Sequence, residues 1–353
     1  MSWQSAHPVR RSGILGGLSL AVLASVLSPS ARAMAAQDAA ASPSATSGVY
    51  TLQPVTDGMQ MRTRDGRVVF EYLTRKPAGA SLTGPSAACF HPFNTPSGEP
   101  VTALGPDDHP HHRGVYLAWH DSEFRAPITS RGQTSPLFGW NITKADFWGW
   151  GVYAPRDDRV IRTTDVRLVS ADANRAQIDI RNDWNVGRRK MLDEVTSAIV
   201  SERNGVFVMD LTFRLTPVED YRLNKQSFSG FNFQARKDGE SHFTNSAGEV
   251  RLRDPHYSVP ELNWPPSPWY GYVLATDDGT TVGAAVIDHP SNPPSTWHNS
   301  RSLWMLNPVI AALQPYTIRA GETLTLRYRV ISHDGPTPTD VVDALSTEFR
   351  ATN

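Results

Sequence analysis

The chain alternates along much of its length. Arg67-Val68-Val69-Phe70-Glu71-Tyr72-Leu73 is rich in β-branched and aromatic residues. Asp165–Val169 and Ala176–Trp184 switch between polar and apolar positions, and so does Val206–Leu215 after the turn Asn204-Gly205. Period-two alternation predicts strands with one wet and one packed face, the habit of antiparallel sheets. Further strands are predicted at Tyr270–Thr276, Thr281–Ile287 and Thr323–Ser332. Asp277-Asp278-Gly279 supplies a hairpin turn between the first two of these, and Ala320-Gly321-Glu322 turns into the last. Only the end of the chain has helical spacing: Thr339 can cap, and Val341, Val342, Leu345 and Phe349 fall on one face. No repeat of about 20–50 residues suggests a propeller or solenoid. The expected fold is therefore all-β: a two-layer antiparallel β-sandwich with a short C-terminal helix.

The first residues follow another rule. Arg10 and Arg11 precede an apolar run, Ile14 to Leu27, and Ala31-Arg32-Ala33 fits a small-x-small cleavage site. Residues 1–33 are expected to be a cleaved signal peptide, with the mature chain starting near Met34 or Ala36. The run is short for a bilayer span, and no later stretch approaches that length. The arginine pair loosely suggests the twin-arginine route. Residues 34–48, rich in Ala and Ser, are expected to form a flexible linker, and 49–353 a single domain. The expected location is periplasmic or secreted, with no membrane span in the mature protein.

Charge and cysteine narrow the chemistry. Losing Arg10, Arg11 and Arg32 with the signal takes Lys plus Arg from 34 to 31 against 35 acids, a net of about −4. Such a surface does not recruit nucleic acid. Cys89 is the single cysteine, so an internal disulfide and a cysteine-rich zinc site are both excluded. A strand would put Cys89 and His91 on one face, which permits a thiol–imidazole pair, but Ala87-Ala88-Cys89-Phe90 reads better as buried core.

Histidine carries the strongest chemical signal. Of eleven histidines, five fall between residues 91 and 120: His91, His109, His111, His112 and His120. His289 and His298 form a second group, in Asp288-His289-Pro290-Ser291-Asn292 and Trp297-His298. Imidazole exchanges its proton near neutral pH, so a cluster beside carboxylates and an arginine suits acid–base work or metal ligation. Pro92, Pro96, Pro106 and Pro110 stiffen the loops that present these groups. An extended Asp107–His112 would point His109 and His111 one way and His112 the other. The two histidine groups are expected to meet in one cleft. Aromatics crowd two stretches, Trp140 to Tyr153 and Trp264 to Trp304. Many must be core, but Pro265, Pro266 and Pro268 put Trp264 and Trp269 in a loop, where flat rings could grip a sugar.

Three motifs carry a family resemblance: His-Pro-x-x-Thr-Pro-Ser-Gly from His91, Asp-His-Pro-His-His-Arg-Gly from Asp108, and Asp-His-Pro-x-Asn…Trp-His from Asp288. They resemble the bacterial domain-of-unknown-function family often labelled "methane oxygenase PmoA", over nearly all of the mature chain. Phe231 to Arg236 matches more loosely that family's Gly-rich aromatic segment ending in arginine. Members look like secreted proteins of glycan-degrading bacteria. The segment from Tyr316 through Ala320-Gly321-Glu322 into Leu324–Arg329 is similar to that of galactose-mutarotase-like supersandwiches, which host epimerases, polysaccharide lyases and glycosidases. That step is fold analogy.

The leading expectation is an exported carbohydrate-active enzyme, a lyase, hydrolase or epimerase using histidine acid–base chemistry on a carbohydrate substrate. His111 or His112 would be the acid or base, and Arg113 would neutralise a carboxylate or oxyanion. Asp108 and Asp121 would orient imidazoles, and His109, His289 and His298 would complete the catalytic group. His91, His120, Asp121, Trp148, Arg236, Asn292 and Trp297 would line the sugar site. Asp193-Glu194 could supply a carboxylic acid, or could be a solvated strand end. A metal-dependent enzyme is the first alternative, with a divalent metal as cofactor held by His109, His111, His289 and Asp108. A non-catalytic glycan-binding module is the second.

Overall fold

The computed structural model describes residues 48–352; the expected signal peptide and nearly all of the expected linker lie outside them. The described chain is an all-β, two-layer antiparallel sandwich with one short C-terminal helix. One sheet has seven strands, in the order Thr51–Val55, Gly58–Arg62, Val68–Leu73, Cys89–Phe93, Val115–Ala118, Gly230–Gln234 and Met305–Leu306. The other has nine: Arg159–Ala171, Arg175–Val186, Arg189–Arg203, Val206–Pro217, Leu324–Asp334, Thr281–Asp288, Trp269–Ala275, Glu240–Asn245 and Gly248–Val250. The penultimate element of the chain, Leu324–Asp334, thus slots into the middle of the nine-stranded sheet. It pairs Leu211 with Tyr328 on one side and Ala285 with Ile331 on the other. A four-stranded sheet (Tyr316–Ile318, Asp220–Leu223, Ser122–Pro127, Trp140–Ala145) and two two-stranded pairs, Thr296–Trp297 with Pro308–Val309 and Thr129–Ser130 with Gln133–Thr134, complete the fold.

Alternation places the core. Phe207, Met209, Leu211 and Phe213 point inward and meet the seven-stranded sheet, where Phe231 stacks on Tyr328 at 4.1 Å and lies 6.2 Å from Phe213. One polar pair bridges this interface: the Tyr72 hydroxyl donates to Asn182 Oδ1 at 3.3 Å. Val206 and Val208 face outward but are buried too, because the helix Thr339–Arg350 covers them with Val342, Leu345 and Phe349. Thr339 is the first residue of that helix and makes no cap; Pro338 precedes it.

One strand was missed and two expectations need correction here. The strand Arg189–Arg203 escaped the sequence reading because its inward positions include Glu194, Thr196 and Ala198, which carry little hydrophobic signal although all are buried. Asp107–His112 is not extended: the His109 N–H donates to the Pro106 carbonyl and the His112 N–H to the His109 carbonyl, so the chain folds back. Trp264 and Trp269 are fully buried rather than displayed on a loop. The Trp269 indole donates to Asp343 of the helix at 2.7 Å, and Trp264 exchanges backbone hydrogen bonds with Trp297.

Candidate functional site

Segments leading into three neighbouring strands of the seven-stranded sheet build the site. These are 109–113 before Val115–Ala118, Phe228 before Gly230–Gln234, and 298–303 before Met305–Leu306. Together with Trp150 and the Pro255-His256-Tyr257 segment they enclose a cavity of about 420 Å³. Five histidines line it: His109, His111, His112, His256 and His298. Because the loop folds back, the rings converge. His111 lies 4.6 Å from His112 and 5.6 Å from His109 between centroids. Gly114 makes the turn into the strand possible: its φ is +42°, and a Cβ there would sit 2.2 Å from the Phe90 carbonyl oxygen.

Amide side chains set the tautomers. Gln234 Nε2 donates to the Ala235 and Leu303 carbonyls, which turns its Oε1 toward His112 Nδ1 at 2.7 Å. Asn263 Nδ2 donates to the Ser227 carbonyl and Thr296 Oγ1, turning its Oδ1 toward His298 Nδ1 at 2.9 Å. An amide oxygen only accepts, so both Nδ1 atoms carry the proton and both Nε2 atoms carry a lone pair. Neither Nε2 has a hydrogen-bond partner among the described residues. Burial pushes His298 down to about 3 and His112 well below the usual imidazole value, and the neighbouring imidazoles push the same way. His111 is likewise lowered to about 3, first by burial and then by His109. His111, His112 and His298 are thus neutral at pH 7, and no Asp, Glu, Lys or Arg lines the cavity.

The orienting role expected of Asp108 and Asp121 falls instead to Gln234 and Asn263. Asp108 pairs with Lys237 at 2.5 Å and only approaches His109 Nδ1, at 3.5 Å. Asp121 accepts from Asn224 Nδ2 at 2.9 Å and closes the end of the strand pair Ser122–Pro127 and Asp220–Leu223. Arg113 also departs from its expected part. It is fully buried, stacks over Tyr116 at 4.3 Å, and donates to the Trp148 and Phe147 carbonyls at 3.2 and 3.3 Å. From the other side the buried Asp146 accepts from the N–H groups of Gly149, Trp150 and Gly151. A buried cation on the carbonyls and a buried anion on the amides fix the loop that presents Trp150. Trp148 itself is buried, 5.4 Å from His112, and supports the wall from behind.

A family model described as a family of unknown function, DUF6807, matches residues 61–347. The chain belongs to this family. All the residues of the DUF6807 cavity fall within that match. No curated protein matches the chain. Among solved structures it is similar to a galactose mutarotase related enzyme from Lactobacillus acidophilus, at 8% identity and a TM-score of 0.31, over 82% of this chain and 98% of that one. It is also similar to an alpha-galactosidase from Lactobacillus brevis, at 8% identity and a TM-score of 0.35, over 84% of this chain and 41% of that one.

Other expected site residues of this DUF6807 chain lie elsewhere. His289 does not line the cavity: Ser291 N–H donates to its Nδ1, its Nε2 donates to the Thr352 carbonyl at 3.1 Å, and its ring meets Phe349 at 5.1 Å. It ties the end of the helix to the sheet. Asn292 reads the backbone of Arg327 with both its amide atoms, at 2.8 Å each, and Trp297 is core. His91 and Arg236 border a separate open groove; His91 Nδ1 sits 3.0 Å from Thr102 Oγ1, and Arg236 grips Asp238 and the Pro100 carbonyl. Cys89 is buried and its thiol is pushed up to about 12 by burial, so it forms no pair with His91. Glu194 is buried, accepting from Asn182, Trp184 and Thr196, while Asp193 is exposed beside Lys190. His109, His111, His289 and Asp108 are not gathered into one site. Among the described residues no three His, Cys, Asp or Glu side chains form a metal-binding group.

Sequence reasoning missed Phe228, His256 and Tyr257 in the lining, and Gln234 and Asn263 behind it. His256 had a signal, since Asp254-Pro255-His256 repeats the acid, proline and histidine mixture of Asp108-His109-Pro110. Phe228 and Asn263 stand in stretches with no such mark.

Proposed function

We propose that this protein is an exported carbohydrate-active enzyme that acts on an uncharged sugar in the histidine-lined cavity. The observation that carries the reading is the pair of oriented imidazoles. His112 and His298 hold their Nδ1 protons on amide oxygens and leave two Nε2 lone pairs beside aromatic walls. Such lone pairs accept sugar hydroxyls or a proton, and His111 or His109 can return one. Trp150, Phe228 and Tyr257 supply the flat apolar faces that saccharide rings pack on. The lining holds no Asp, Glu, Lys or Arg, which favours a neutral sugar over a uronate, and Arg113 is committed to backbone carbonyls. Export rests on Arg10-Arg11, the apolar run from Ile14 and the Ala31-Arg32-Ala33 site. The methane-oxygenase label plays no part in this reading, and neither does a metal.

Asparagine tests the catalytic role cleanly, because its Nδ2 occupies the place of imidazole Nδ1 and its side chain has no counterpart of Nε2. His112→Asn and His298→Asn therefore keep a donor toward Gln234 and Asn263 and remove Nε2 with its lone pair. Activity is screened on neutral glycans by release of reducing ends, by anomeric or epimeric exchange, and by ultraviolet absorption of unsaturated products. Each variant is expected to lose about 10²–10⁴ in rate with a nearly unchanged melting temperature. Unchanged turnover in both variants would sink the mechanism. One observation favours a second reading, a non-catalytic glycan-binding module: imidazoles held near 3 are weak bases at neutral pH. Saturable sugar binding with no product from any glycan would decide for it.

A further inference from the structure

Behind Trp150 and Phe228 lies a second chamber of about 300 Å³, and it shares Trp150, Phe228 and Tyr257 with the first. Its inner wall is polar and buried: His120, Gln226 and Ser227 are each at most 5% exposed. Gln226 Oε1 accepts from the Asp121 N–H, but Gln226 Nε2 has no partner. Ser227 Oγ has none either, and neither ring nitrogen of His120 makes a hydrogen bond of normal geometry. His120 is enclosed by rings, 4.4 Å from Phe228, 5.2 Å from Tyr153 and 5.4 Å from Trp150. Burial pushes it down to about 3, against a smaller opposing pull from the Phe228 backbone, so it is neutral like the imidazoles next door.

Three neighbouring side chains with unpaired buried polar atoms are costly, and a protein keeps them where something else satisfies them. All three residues line one chamber. Asn263 joins this chamber to the first: its Oδ1 orients His298, and its Nδ2 holds the carbonyl of Ser227. The exposed Lys225–Glu261 ion pair stands at the rim, leaving the interior without net charge.

We infer that the second chamber is a subsite for a second sugar ring, so that the ligand is a disaccharide unit of a neutral glycan lying across Trp150, Phe228 and Tyr257. This deepens the proposed function and rests on it. One ring sits among His111, His112 and His298; the next donates to and accepts from Gln226, Ser227 and His120, with Tyr153 at its edge. Two chambers of unequal character also give the ligand a direction.

The test is calorimetric titration of the full chain with glucose, galactose and mannose and with maltose, cellobiose, lactose and mannobiose. At least one disaccharide is expected to bind about tenfold or more tightly than its component monosaccharides. The double variant Gln226→Leu, Ser227→Ala, and separately Tyr153→Ala at the exposed rim, are expected to bring that ratio close to one. A ratio near one in the unaltered protein, or a ratio that all the variants leave intact, overturns the second subsite while leaving a sugar site standing. Absence of binding by every mono- and disaccharide overturns the sugar reading and the subsite together.

Discussion

Two motifs of nearly the same composition do different work. Asp108-His109-Pro110-His111-His112-Arg113 and Asp288-His289-Pro290-Ser291-Asn292 both mix acid, proline, histidine and a hydrogen-bonding residue. In the second, the polar side chains find partners close by. Asp288 accepts from Asn292 and Ser295 at 2.6 Å each, Asn292 clasps the backbone of Arg327, and His289 bridges Ser291 and Thr352. The motif is a clamp between helix and sheet. In the first, Arg113 is consumed by two carbonyls, but His111 makes no side-chain hydrogen bond among the described residues and His112 makes one. What separates a site from a clamp is the unused hydrogen-bonding capacity left facing a cavity, which composition does not reveal.

The comparison breaks hardest at Arg113. It sits in the cavity motif yet belongs to the scaffold, so Arg113→Ala should destabilise the fold by about 3–5 kcal/mol, leaving two buried carbonyls unpaired and Asp146 without its nearby cation. Urea unfolding measures this. An unchanged midpoint with lost sugar binding would return Arg113 to the ligand. On the clamp side, Asn292→Ala should cost about 2–3 kcal/mol, because the Asp288 carboxyl and the Arg327 backbone lose partners in a buried place. Sugar affinity should not move. A fall in affinity at equal stability would mean that the two motifs are coupled.

The strands with regular alternation, such as Ala176–Trp184 and Val206–Leu215, and the final helix were legible in the sequence because one face of each is apolar. Arg189–Arg203 was not, because its inward face carries Glu194, Thr196 and Ala198. That the histidines of 109–112 and His298 share a cavity was legible in outline from proline-stiffened polar stretches. That His289 stands apart was not, because its partners Thr352 and Phe349 lie some sixty residues away. The roles of Arg113, Gln234 and Asn263 depend on which carbonyl or imidazole the fold sets before them, and no local pattern encodes that.

Acid sharpens the contrast. His111, His120 and His298 are held at about 3, against an ordinary value of 6.5, because burial disfavours their charged forms. A folded value below the unfolded one means that protons favour the unfolded chain. The stability is complete above about pH 6.5 and is lost progressively as the pH falls from there toward 3. At pH 5 the expected loss is roughly 1–2 kcal/mol for each of the three. His91 and His333, lowered to about 4, add to the same slope, so the informative quantity is a difference between variants. His120→Phe, whose ring suits the cage of Trp150, Tyr153 and Phe228, should flatten the fall between pH 7 and 5 by one histidine's share. Urea unfolding at the two pH values checks it, and an equally steep loss in the variant would remove His120 from the account.

The smallest effect belongs to His289. Its Nδ1 accepts from the Ser291 N–H and its Nε2 donates to the Thr352 carbonyl, so both nitrogens are engaged within a few residues of the surface end of the helix. Replacing it by Gln keeps one donor and one acceptor on a flexible stem and forfeits the ring contact with Phe349. The expected cost is about 1 kcal/mol, seen as a small drop in urea midpoint. Disaccharide affinity and turnover should match the unaltered protein, because no atom of His289 borders either chamber. His298→Asn, nine residues further on, should show the reverse: little change in midpoint and a large change in rate. If His289→Gln instead lowers turnover as much as His298→Asn does, the division between clamp and site fails. The Asp288 motif would then have to act on the ligand through a chain conformation other than the one in which His289 closes on the helix.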